Sequence, residues 1–85
     1  MNKEKLLSIL QRGGINYNDY DIEGYGGAGA EIVYHLEKSG NHEYRVYITE
    51  RNKIILIQTY PDEERACEGL LSLFIEDYPN LKEFV

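Results

Sequence analysis

Between Glu31 and Ile57 apolar residues recur at every second position, and this alternation constrains the fold more than any other feature of the 85-residue chain. Ile32, Tyr34 and Leu36 alternate with Val33, His35 and Glu37. Tyr44, Val46 and Ile48 then alternate with Arg45, Tyr47 and Thr49, and Ile54-Ile55-Leu56-Ile57 follows as an unbroken apolar run. Successive side chains of a strand point to opposite faces, so a period of two marks a strand with one face buried. Ser39-Gly40-Asn41-His42 and Arg51-Asn52-Lys53 are short, turn-forming connections, so the three strands are read as an antiparallel meander.

A sheet with one apolar face needs cover, and the flanking segments supply it. Leu6, Leu7, Ile9 and Leu10 fall at helical spacing between Asn2, an N-cap residue, and the stop Gly13-Gly14, which predicts a helix over 3–12. Pro61 and Asp62 open a second helix whose first turn carries Glu63 and Glu64, where the helix dipole favours acids. Its stripe is Ala66, Cys67, Leu70, Leu71, Phe74 and Tyr78, and Pro79 ends it. Gly69 costs this helix about 1 kcal/mol relative to alanine, a cost consistent with close approach to the sheet. Residues 15–30 follow neither period and read as loop holding at most a short strand around Tyr20–Glu23. The expected architecture is one α+β domain over 1–85. It has a small antiparallel sheet of three to four strands, with an N-terminal and a C-terminal helix on one face.

Fifteen acids against nine bases give a net charge of −6. There is no basic footprint to neutralise phosphates, so no nucleic-acid partner is expected. The same field would steer a basic protein into contact, besides keeping a small domain soluble. A domain this small buries only about 60% of the surface its unfolded chain exposes, which leaves little structure for a deep catalytic cleft. The single cysteine, Cys67, cannot form an internal disulfide. Residues 1–7 do not read as a signal peptide and no apolar run approaches the ~18 residues of a membrane span. A cytoplasmic location without membrane association is the expectation.

Several motifs fail on context. Gly24, Gly26 and Gly29 spell G-x-G-x-x-G, but a strand-forming segment follows where a dinucleotide site needs a helix. Asp19, Asp21, Glu23 and Gly24 match the start of a calcium loop, yet Ala30 stands where the bidentate glutamate belongs. His35, His42 and Cys67 lack zinc-ligand spacing, and Ser8, Ser39 and Ser72 lack a base beside them. No catalytic residue, metal site or cofactor is expected.

The tyrosines remain: eight, against two phenylalanines and no tryptophan. Tyrosine offers large contact area with little rotamer entropy to lose, and its hydroxyl tolerates a wet rim, so interfaces favour it. Tyr34, Tyr44 and Tyr78 fall on expected core faces. Tyr17, Tyr20 and Tyr25 lie in the irregular segment among Asp19, Asp21 and Glu23, and no base occurs between residues 17 and 37. These six are the expected partner-binding residues, with tyrosines folded back onto the core as the competing interpretation. A second candidate surface is the sheet face away from the helices, carrying His35, Arg45, Tyr47 and either Ile54 with Leu56 or Ile55 with Ile57.

Glu43-Tyr44-Arg45-Val46-Tyr47, Glu50-Arg51-Asn52, and Tyr60 followed by Glu63-Glu64-Arg65-Ala66-Cys67 and Leu70-Leu71 resemble small immunity proteins of bacterial polymorphic-toxin systems. The resemblance covers residues 43–75. It implies an inhibitor that binds a cognate toxin domain, often a nuclease with a basic groove, and performs no chemistry itself. The rival expectations are a phage-type inhibitor of a host nuclease or defence complex, and a homo-oligomeric regulatory module built on the two-faced third strand. Calorimetry with NAD, ATP, calcium and zinc is expected to show no binding in the micromolar range. A micromolar constant for any of them would restore the motif concerned.

Overall fold

Capping and register account for most of the element boundaries in the computed structural model, which describes residues 1–85. Helix α1 spans Lys3–Arg12 as its spacing predicts, and the Asn2 side chain accepts the Lys5 N–H at 2.9 Å. Helix α2 spans Glu63–Asp77, and Asp62 at its N-cap accepts the Arg65 N–H at 2.8 Å. Each cap satisfies an amide that the first turn leaves unpaired.

Four strands lie between them, β1 (Tyr20–Ile22), β2 (Ile32–Lys38), β3 (Tyr44–Glu50) and β4 (Lys53–Tyr60), and they pair in the order β1-β2-β3-β4. The meander β2-β3-β4 is antiparallel as expected, while β1 pairs parallel to β2, with Tyr20 opposite Tyr34 and Ile22 opposite Leu36. The sheet is therefore mixed. A parallel connection must carry the chain back to its starting end, and here residues 23–31 do so without the usual helix. The chain reverses at Glu23-Gly24, both with positive φ, and Ile22 and Tyr25 exchange backbone hydrogen bonds across the turn. It then returns along the outer side of 17–22, with the Gly27 and Ala30 amides donating to the Tyr17 and Asn18 carbonyls.

One core holds these elements together. Tyr20, Ile22, Tyr34, Leu36, Val46 and Ile48 from the sheet meet Leu6, Ile9 and Leu10 of α1 and Ala66, Cys67, Leu70, Leu71 and Phe74 of α2. Phe74 is fully buried and stacks on Tyr34 with ring centroids 4.0 Å apart. A Cβ at Gly69 would overlap the Tyr60 ring, so this glycine lets α2 lie close to β4. Past Tyr78 the chain forms a 3-10 segment, Pro79–Phe84, that the alternation and helical periods do not announce. It buries Leu81 against Gly13, and the Asn80 side chain donates to the Gly13 carbonyl at 3.2 Å.

The turn Arg51-Asn52 is a two-residue hairpin with both residues at positive φ. Just past it the pairing shifts, so that Thr49 faces Ile54 and Ile48 faces Leu56, leaving Ile55 as the extra residue of a bulge. The bulge corrects both expected registers. Ile54 and Ile57 share the open face with Thr49 and Tyr47, while Leu56 packs toward the core. Truncating Phe74 or Leu70 to alanine is expected to cost about 3–5 and 2–5 kcal/mol respectively, through lost burial and a residual cavity. Denaturant melts check this, and melting within a degree or two of the parent would remove the stripe from the core.

Candidate functional site

The six residues singled out in the 17–25 segment do not form one surface. Tyr20 is only 3% exposed and belongs to the core, which corrects its expected role as an anchor. Its position in β1 opposite Tyr34 turns the ring toward the helices, and the Gly26 backbone approaches its carbonyl so closely that any Cβ would collide. Gly26 also has φ +126°, so this glycine serves a close backbone contact within the protein. Tyr17 and Tyr25 are exposed, at 63% and 57%. The Tyr17 ring meets Tyr20 edge-on, and Lys3 Nζ lies 5.0 Å from the centre of the Tyr25 ring.

The three acids diverge. Asp21 accepts the Gly24 N–H at 3.1 Å and so closes the turn. It also lines a shallow cleft of about 340 Å³ on the open face with Glu23, His35, Glu37, Lys38 and Tyr47. There His35 and Tyr47 stack with centroids 4.3 Å apart, and His35 Nε2 lies 2.9 Å from Thr49 Oγ1. Burial holds the His35 pKa below its ordinary value, against the opposing pull of Asp21 and Glu37. Glu23 turns toward Glu63 of α2, and its Oε2 is buried without a partner. Burial and then the Glu63 carboxylate raise its pKa, while Lys3 and Lys38 lower it. No three His, Cys, Asp or Glu side chains converge in a metal-holding group.

Asp19 belongs to a different place. It lies on the rim of a cleft of about 450 Å³ at the C-terminal end of α2, together with Glu31, Asp77 and Tyr78. The apolar lining is Ile32 from β2, Ile48 from β3 and the bulged Ile55 from β4, with Tyr34 beside them. Ile32 and Ile55 are exposed apolar side chains. The Tyr34 hydroxyl donates to Asp77 Oδ2. Burial, and then the hydrogen bond to Asp77, raise the Tyr34 pKa; burial and Asp19 raise that of Tyr78. Arg51 pairs with Glu31, but neither Asp19 nor Asp77 has an ion-pair partner. The last turn of α2 carries no base, although a helix C-terminus favours cations. Apolar floor, unpaired acids and the negative pole of a helix therefore meet at one spot. Of this cleft the sequence marks Asp19 as a binding residue and Ile55 only as an alternative on the opposite face, because Ile55 arrives through the bulge and Asp77 through the length of α2.

Cys67 is fully buried, and burial, with Glu63 and Glu23 nearby, pushes its thiol up to about 12, which suits an inert core residue. Among known proteins nothing matches the chain: no family model, no curated protein and no solved structure. What is defined is a class, an α+β domain with a mixed four-stranded sheet and two helices packed on it, and no helix is long and apolar enough to cross a membrane.

Glu23→Gln is expected to raise the melting temperature near neutral pH. The folded-state pKa of Glu23 is raised, so its contribution to stability is full below the unfolded pKa and is lost as pH rises through the folded one. The amide imitates the protonated acid, so its advantage should vanish as pH falls below about 4. Melts of both proteins across acid and neutral pH check this, and an equal gain at every pH would place the effect elsewhere.

Proposed function

We propose that this protein is an immunity-type inhibitor that binds and blocks a basic toxin domain, of the nuclease kind, by surface complementarity. The observation that carries the reading is the α2 cleft, an apolar floor of Ile32, Ile48 and Ile55 rimmed by Asp19 and Asp77, which have no counter-ion. A cation seated there would meet two carboxylates and the helix C-terminus, while its aliphatic stem or an apolar neighbour covered the isoleucines. Lysine and arginine side chains have that form, and a groove built to hold phosphates displays them. The net charge of −6 adds long-range steering toward such a surface. The resemblance of residues 43–75 to immunity proteins supplies the class of partner. Tyr17, two residues before Asp19 and largely exposed, is the anchor that this reading retains.

The test is co-expression with the toxin domain encoded by the neighbouring open reading frame, reading survival of the host and then binding rates. Asp19→Asn with Asp77→Asn is expected to slow association by roughly tenfold at low salt, with the loss shrinking as salt screens the charges. Tyr17→Ala should mainly speed dissociation, at a cost of about 2 kcal/mol. A neighbour that neither kills nor binds refutes the reading, and unchanged rates in all three substitutions move the contact to another surface.

A further inference from the structure

The two edges of the sheet are treated differently. At the β1 edge only three residues pair, and the return segment from Tyr25 to Ala30 runs along the outer side of 17–22, with backbone hydrogen bonds to Tyr17, Asn18 and Ile22. At the other edge β4 runs for eight residues, and no backbone hydrogen bond outside the helices and strands engages residues 53–60. From Ile54 to Tyr60 the strand carries no charge and no proline, although the chain as a whole carries −6. Ile54, Ile55 and Ile57 are 57%, 58% and 51% exposed. Its one protection is the bulge at Ile55, and Leu56–Tyr60 beyond it is regular. A long, apolar, uncharged edge is a template for another strand, and proteins that keep such edges free break them with charges or proline.

We propose that β4 pairs antiparallel with β4 of a second copy, joining two four-stranded sheets into one of eight strands about a two-fold axis near Ile57 and Gln58. Charge selects this occupant and this direction. Lys53 stands at one end of the strand, has no ion-pair partner, and Asp62, Glu63 and Glu64 follow the other end. Antiparallel pairing sets the Lys53 end of each copy against the acidic end of the other, so the favourable contact is made twice. Parallel pairing would set acids against acids. Along the neutral middle, two copies of a −6 chain can approach without bringing like charges together. Ile57, on the open face, then lies beside its counterpart at the axis, and the strand supplies hydrogen-bond partners to its own copy. This inference is independent of the toxin reading.

Sedimentation equilibrium of the pure protein at micromolar to millimolar concentration tests it. The expected result is a reversible dimer, twice the 9.9 kDa of the chain. Ile57→Lys places a charge at the axis on a half-exposed site, so it should weaken the dimer at least tenfold while leaving the melt of the monomer nearly unmoved. Lys53→Glu should weaken it too, and by clearly more than Lys5→Glu, which changes net charge equally on an exposed position of α1. Three results overturn the proposal. They are a monomer at millimolar concentration, which leaves the edge to a partner's strand, a dimer unaffected by Ile57→Lys, and equal losses from the two lysine reversals.

Discussion

Tyr34 is where core and surface are joined. Its ring stacks on Phe74, fixing the middle of β2 against the last turns of α2, and its hydroxyl reaches Asp77 at the end of that helix. A phenylalanine there could fill the core, but it could not hold the Asp77 carboxylate. The apolar contact sets the height of α2 above the sheet, and the polar tip sets the direction in which its acidic end looks. The cleft is a product of both. It opens where α2 stops covering the sheet, so its floor is the uncovered end of the same face that makes the core.

Two helices on one side of four strands also decide what stays bare. Nothing in the chain covers the opposite face, and polar and aromatic residues fill it instead. Arg45 lies among Glu37, Glu43 and Ser39, and the His35–Tyr47 stack is tied to Thr49 and Glu37. These contacts let that face live in water as far as β3. They stop at β4, where isoleucine replaces the polar partners. The sheet is thus finished on three sides and apolar on the fourth.

Much of this was legible in the residues because it rests on local rules. Asn2 and Asp62 cap the helices they were expected to start, Gly13 ends the first, and the period of two marks β2 and β3. What escaped depends on distant contacts or on a single inserted residue. The bulge at Ile55 reverses the face of its neighbours, and no alternation count through four consecutive apolar residues can place it. The parallel addition of β1 is set by the tight reversal at Glu23-Gly24, a turn whose direction of travel is not written in its composition. Tyr20 reads as an anchor because its surroundings are polar in sequence; the adjacent strand, fourteen residues later, makes it a core residue. Leu81 escapes the periods because two apolar residues in six, Leu81 and Phe84, are too few to mark one, yet Leu81 completes the core. Within the site the charge was readable and the geometry was not.

The packing of Leu81 on Gly13 has a consequence for how the chain comes into being. Helix α1 is made before its docking surfaces, α2 and the 3-10 segment, and the Lys3 amide is held by Glu63 from 60 positions away. The meander can pair as it emerges, since its contacts are between neighbours. The helix must wait, with Leu6, Ile9 and Leu10 exposed, until the segment around Leu81 has been made. Folding of this small domain is therefore completed in one closing step, after the residues around Leu81 are free, and anything that delays their release prolongs the life of an uncovered apolar helix.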